Sequence, residues 1–269
     1  MWPAWFVIGA CVGSFLNVCI YRLPREQSII RPRSRCQRCQ HPIAWYDNLP
    51  LLSLVLLRGR CRHCHTPIRW HYPVVELLTA FLTVVVFDRF GVGAKGFIYA
   101  VFVYALIIVS FIDLEFQIIP DEISLGGLVA ALLISVWLPG MHGTDSRWLA
   151  LQRSVVGLVV GGGLLYATGL MGNVIFRKES MGGGDVKLLA MAGALLGWKL
   201  VALTFFLAPL LALIPGLCVL ALKRSHVIPY GPFLSLALVV SLVFGGELLR
   251  ASGVEELLAA LSDYYRWQH

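Results

Sequence analysis

The chain has 269 residues, of which 58% are hydrophobic and only 14% charged, and its mean hydropathy is +0.77. Ordinary soluble domains carry about 25% charged residues, so this composition excludes one and describes a chain built for a lipid bilayer. The 22 Lys and Arg against 15 Asp and Glu give +7 at pH 7, an excess that bears on membrane orientation and partnership with lipid and not on nucleic acid.

In chain order, apolar runs at about 2–21, 72–90, 96–114, 122–139, 151–175, 185–198, 199–222 and 229–249 predict about eight transmembrane helices. The fold class expected is an all-α polytopic integral membrane protein with one small polar module after the first helix. The first run, Trp2 to Tyr21, has no positive residue before it and no small-residue cleavage site after it, so residues 1–21 read as a retained span. Residues 22–71 form the polar module, 72–250 a transmembrane core, and 251–269 a tail. Tyr264, Tyr265 and Trp267 suit that tail to an interfacial amphipathic helix. The 185–198 run is short for a full span and follows Gly182, Gly183 and Gly184. It is expected to cross only partly, with irregular backbone facing a protein-lined or watered cavity. No internal repeat is read.

With the N-terminus outside, the inward-facing loops hold fourteen Lys and Arg and the outward-facing ones seven, with Lys187 left inside a span. Basic loops stay in the cytoplasm, which places the 22–71 module there.

Four of the seven cysteines lie in that module, as Cys36-Gln-Arg-Cys39 and Cys61-Arg-His-Cys64. Two Cys-x-x-Cys pairs, each on a tight turn, supply four sulfurs to one ion, the arrangement of structural tetrahedral zinc. Disulfides are the weaker reading in a reducing compartment. His63 and His65 belong on the solvated surface, and Cys11, Cys19 and Cys218, set in apolar runs, read as small packing residues. Roughly 50 residues between two spans bury little apolar area, so metal binding is expected to supply much of the folding free energy of the module.

Carboxylates in or beside apolar runs are costly and need a reason: Glu76, Asp113, Glu115, Asp121, Glu122 and Asp185. The expected topology brings Asp113, at the end of the third run, and Asp185, at the start of the sixth, to the cytoplasmic side. Two carboxyls sharing a site titrate as a pair, one holding a proton while the other accepts one from water, as in aspartic peptidases. Gly183 and Gly184, lacking Cβ atoms, would let a substrate backbone approach Asp185. The structural alternatives are that Asp185 caps its helix or pairs with Lys187, that Asp121 is an N-cap, and that Glu76 is a buried hydrogen-bond partner. Glu115 and Glu122 suit the wet interface.

These residues resemble the bacterial type IV prepilin peptidases, also called leader peptidase/N-methyltransferases. The resemblance rests on Gly13-Ser14-Phe15-Leu16-Asn17-Val18-Cys19-Ile20-Tyr21-Arg22-Leu23-Pro24, the four-cysteine loop, and Tyr72-Pro73-Val74-Val75-Glu76-Leu77-Leu78-Thr79. It continues through Asp113 to Ile119-Pro120-Asp121, Gly183-Gly184-Asp185-Val186-Lys187-Leu188-Leu189, and Pro229-Tyr230-Gly231-Pro232-Phe233. It implies a multi-pass protein of the bacterial inner membrane that removes the basic leader of type IV prepilins or pseudopilins after a glycine. The new N-terminus would then be methylated with S-adenosylmethionine. By carry-over Asp113 and Asp185 are the catalytic acids, with Gly183, Gly184, Lys187 and Glu76 as substrate or supporting residues. Cys36, Cys39, Cys61 and Cys64 would be the ligands of a structural zinc. Bifunctional members share the four cysteines. Gly161-Gly162-Gly163 reads as close helix packing, not as a methyl-donor fingerprint. Rivals are a presenilin-like intramembrane protease and a transport or scaffold protein, although transporters should show paired interrupted helices in two halves. One tension remains, since the 22–71 loop sets ten Arg against Glu26 and Asp47 and should repel a basic leader unless its charge faces anionic lipid.

Overall fold

A computed structural model of the protein describes residues 1–31, 33–177, 181–221 and 229–253. Among these it is helical throughout, with two isolated β-bridges in the polar module. The helices are α1 (Trp2–Arg22), α2 (Leu52–Leu56), α3 (His71–Phe90), α4 (Ala94–Phe116), α5 (Asp121–Trp137), α6 (Arg147–Phe176), α7 (Gly183–Leu196), α8 (Trp198–Ala221) and α9 (Gly231–Ala251). Apart from the short α2, one helix answers each expected apolar run. The expected tail from 254 onward, with Tyr264, Tyr265 and Trp267, lies outside the described residues, as do Lys178 and the 222–228 loop.

The expectation of eight spans is not met in full: five helices, α1, α4, α6, α8 and α9, are long and apolar enough to cross a membrane. The other three fall short for identifiable reasons. Helix α3 has 20 residues but carries Glu76, Asp88 and Arg89. Helices α5 and α7 have 17 and 14 residues. At 1.5 Å per residue α7 is about 21 Å long, against about 30 Å of hydrocarbon. Its residues Leu188 to Leu195 are nonetheless all buried, as expected of a helix apolar on every side. It is wrapped by protein. Large apolar side chains elsewhere, such as Phe15, Phe81, Val101, Leu133, Phe206 and Ile214, point outward, which suits a surface solvated by lipid.

The chain divides into two compact units, Met1–Pro120 and Asp121–His269. In each, the most extensive helix pair is built on glycines four residues apart. In the first unit Gly9 and Gly13 of α1 lie against α3: a Cβ on Gly9 would stand 2.6 Å from Thr83 Oγ1, and one on Gly13 would stand 2.7 Å from Glu76 Cα. In the second unit Gly157 and Gly161 of α6 meet the backbone of Gly193 and Leu189 on α7. Lipid tails are as apolar as leucine, so helices in a bilayer associate by close backbone packing and polar bridges rather than by hydrophobic exclusion. The bridges are present: Thr83 to Tyr104 (2.9 Å), Ser154 to the Ala194 carbonyl (2.7 Å) and Thr204 to Ser241 (3.0 Å).

Of the glycine triplet read as packing residues, Gly161 and Gly162 face α7 whereas Gly163 looks into open space. Gly193→Leu is therefore expected to lower the thermal unfolding midpoint by an overpacking cost of about 3 kcal/mol. Gly163→Leu should leave it near wild type, and equal midpoints for the two variants would contradict this packing. Cys19 is buried as expected, but Cys11 and Cys218 are exposed on their helices, so apolar sequence context here reports a lipid-facing position and not burial in protein.

Candidate active site and metal centre

The polar module contains a repeat that the sequence reading misses. Arg35-Cys36-x-x-Cys39-Gln40-His41-Pro42-Ile43 and Arg60-Cys61-x-x-Cys64-His65-Thr66-Pro67-Ile68 align residue for residue, and the two segments fold identically. In each the first residue bridges to the proline, Arg35 with Pro42 and Arg60 with Pro67. The Cys36 N–H donates to the His41 carbonyl at 3.0 Å and the Cys61 N–H to the Thr66 carbonyl at 2.9 Å. Gln40 and His65 both take a left-handed backbone, with φ of 57° and 54°. That turn curls each chain segment so that its sulfurs lie on one side. Only nine positions align and five residues are identical, without an apolar period among them, so the repeat hides from a search for hydrophobic periodicity.

The four sulfurs lie within 4.8 Å of one another, and Cys36 Sγ is 3.7 Å from Cys64 Sγ. A tetrahedron of sulfurs about 2.3 Å from a central zinc has edges of about 3.8 Å, so the cluster fits one metal ion. The Thr66 hydroxyl, 3.2 Å from Cys64 Sγ, together with the Thr66 N–H, lowers the Cys64 thiol to about 6, which favours thiolate at neutral pH. His63 and His65 are exposed and outside the sulfur cluster, and the His63 ring lies tilted against His41 with centroids 3.5 Å apart. Arg62 donates to Asp47 at 2.7 Å and holds that carboxyl below its usual range. A lowered folded-state value makes this contribution present at neutral pH and lost on acidification through that value, and exposure keeps it small.

The module is tied to the helices beneath it. Asn17, buried in α1, donates to the Tyr72 carbonyl at 3.0 Å, and Gln37 of the first cysteine turn donates to the Tyr72 hydroxyl at 2.7 Å. Glu76 Oε2 accepts the Leu51 N–H at 2.9 Å and its carboxylate also takes the Ser14 hydroxyl. Leu51 has φ +59°, a strained conformation for a leucine that persists only where neighbours enforce it. Glu76 is thus a structural partner that holds the start of α2 against α3. Glu76→Ala is expected to speed metal loss to a chelator roughly tenfold by stranding that N–H, whereas Glu76→Gln, still an acceptor, should stay near wild type. Chelator-competition kinetics decide it, and identical rates for Ala and wild type would remove the role.

Asp113 is buried one turn before the end of α4, which continues to Phe116 and closes with Gln117 at φ 56°. That end lies beside the module: Arg69 reaches Glu115 at 3.3 Å and the Arg25 guanidinium lies 4.8 Å from the Phe116 ring centre. Asp185 is the third residue of α7 and not its N-cap, a position taken by Gly182. Gly183 and Gly184 belong to the helix rather than to an irregular stretch before it. Among the described residues, a Cβ on Gly183 would meet nothing within 4 Å. Lys187 pairs at 2.7 Å with Asp121, the first residue of α5, and not with Asp185. Tyr230, just before α9, lies within electrostatic reach of Asp185. The Asp121–Lys187 pair was not foreseen as a pair, although both residues stood in the quoted motifs.

Residues 7–90 match the bacterial peptidase A24 N-terminal domain and residues 100–217 the type IV leader peptidase family. The prepilin leader peptidase/N-methyltransferase of Pseudomonas putida is 34% identical over 278 residues, 92% of this chain and 94% of that protein. The protein of the same name from Pseudomonas aeruginosa is 33% identical over 91% of this chain and 90% of its own length. That of Myxococcus xanthus is 41% identical over 194 residues, and the match spans 72% of this chain and just over half, 56%, of that relative. No solved structure matches. With two of these relatives similar over at least nine tenths of their length, and with both acids and all four cysteines in the matched segments, the chain belongs to the type IV leader peptidase family.

Proposed function

We propose that the protein is a prepilin leader peptidase of the bacterial inner membrane with Asp113 and Asp185 as its catalytic pair, and that it methylates the N-terminus it creates. What supports this is family membership together with two carboxyl groups each set one turn from a helix end. Asp113 sits at the module end of its unit, and Asp185 at the glycine-rich start of α7. Four residues, 117–120, separate α4 from α5, whose first residue is ion-paired to Lys187 two positions beyond Asp185.

In this mechanism one carboxylate takes a proton from water as the water oxygen attacks the carbonyl carbon of the scissile glycine. The partner carboxylic acid donates its proton to the carbonyl oxygen. Collapse of the tetrahedral gem-diol breaks the C–N bond: one of its hydroxyls returns a proton to the partner carboxylate as the carbonyl re-forms, and the departing amine takes the proton held by the first acid. The pair returns to its one-proton state. S-adenosylmethionine would supply the electrophilic methyl group for the freed, deprotonated amine, its sulfur leaving as the neutral thioether of S-adenosylhomocysteine. The leader is basic and the following segment apolar, so the cut site of such a substrate lies at a membrane boundary.

The cysteine cluster is proposed to hold a structural Zn2+ on the cytoplasmic side, with four sulfur ligands and no vacant position for water. Incubation with a candidate prepilin and the methyl donor, followed by intact-mass analysis, tests the reading. Loss of the leader plus one methyl group is the expected product, and an uncut substrate would refute the assignment.

A further inference from the structure

A cleft of about 1390 Å³ lies between the cysteine module and helices α1 and α3 of the first unit. Its lining is chemically one-sided, with nine arginines against Asp47 and Glu76 and no lysine. This follows from the sequence, because all ten basic residues of the 22–71 loop are arginine although the chain has five lysines elsewhere. Guanidinium offers a planar fork that grips phosphate through two parallel hydrogen bonds, which an ammonium cannot do. Some of the nine are already engaged: Arg62 with Asp47 and Arg69 with Glu115, while Arg25 lies over the Tyr21 ring. Arg31, Arg33, Arg35 and Arg60 have no carboxylate partner among the described residues. Gathering four unneutralised guanidiniums around one cavity is costly in the absence of an anion.

The position of the cleft says where the anion comes from. Ser14 and Asn17 of α1 and Tyr72 and Glu76 of α3 form its floor, so it opens at the end of membrane helices. Beside it α2 is pinned to Glu76 through Leu51 and presents Leu52, Val55 and Leu56 outward, an apolar face suited to the boundary between headgroups and acyl chains. We propose that this cleft binds a phosphate-bearing anion, and that the anion is the headgroup of an acidic phospholipid. Bound lipid would offset the positive charge of the loop and let a basic leader approach. That consequence rests on the proposed peptidase function, whereas the binding site does not.

The test uses the purified full chain with its metal, titrated calorimetrically with dihexanoyl phosphatidylglycerol, dihexanoyl phosphatidylcholine and inorganic phosphate. The glycerol lipid is expected to bind at least about tenfold more tightly than the choline lipid, and R33Q/R60Q should weaken it by about tenfold, the equivalent of roughly 1.4 kcal/mol. R58Q/K199Q, which removes the same charge outside the cleft, should bind like wild type. If R60Q costs the protein its metal, R31Q/R33Q replaces it. Free phosphate binding as tightly as phosphatidylglycerol would overturn the lipid source. Equal affinity for the two lipids, or wild-type binding by the cleft variants, would overturn the site. Leader cleavage is not the readout, so failure here is distinct from failure of the peptidase assignment.

Discussion

Asp113→Asn and Asp185→Asn should each lower the rate of leader removal by roughly 10³-fold or more while the protein still inserts and keeps its metal. Asparagine has the shape of aspartic acid but neither takes a proton from water nor donates one as an acid, so the substitution deletes the chemistry and keeps the packing. For Asp113 this matters because the side chain is buried in α4, where truncation to alanine would confound a cavity with a lost acid. For Asp185 the neighbours supply the control. Lys187 is engaged by Asp121, so Asp121→Asn perturbs the charge near α7 without touching the proposed acid and should cost far less activity. Full cleavage by either Asp113→Asn or Asp185→Asn would end the two-acid mechanism. Because the acids would titrate as a pair, the rate is expected to follow a bell-shaped pH profile, with one carboxyl ionised and one protonated at the maximum.

Replacing a single cysteine of the cluster, for instance Cys61→Ser, is expected to reduce the metal content from about one ion per chain to near zero and to open the 22–71 segment to proteolysis. The module has little else to hold it. Helix α2 is five residues long and has no buried residue, and each cysteine turn is closed by one isolated bridge rather than by a sheet. Structural zinc binding is worth roughly 10–16 kcal/mol in small peptides, far more than a few half-buried side chains can supply. The helices beneath should survive, since α1 and α3 meet through Gly9 and Gly13 and not through the module. Metal analysis and limited proteolysis report the two outcomes separately. Wild-type protein that carries no metal and has four freely reactive thiols in the cluster would refute the metal centre.

How far the chain could be read depends on the range over which each interaction acts. The apolar runs located every long helix, because burial in lipid requires a continuous stretch and leaves its trace in adjacent residues. The same runs overcounted the spans. The 185–198 run was already short for a full span, but composition alone does not say that α7 is sheathed in protein, since a helix buried among helices and one facing lipid are equally apolar. The cysteine spacing was sufficient to foresee a four-sulfur cluster, because each pair is closed by a local turn. The match between the two turns, five identical residues at a fixed offset, needed the backbone to be noticed. Lys187 was open between Asp185 and other partners until a residue 66 positions away in sequence, Asp121, took it.

The amino-acid order by itself settled that this is a membrane protein, where its helices lie, and which side chains are expensive enough to demand a role. Transfer free energy and metal-ligand chemistry are local properties of residue type and spacing. Tertiary structure decided the rest: that glycines four apart become the seams of both units, that Glu76 supports the module from below, and that the arginines of one loop converge on a single cleft. Those outcomes depend on which helix faces meet. Such meetings are set by shape and polar pairing between distant segments, for which no single stretch of chain carries the pattern.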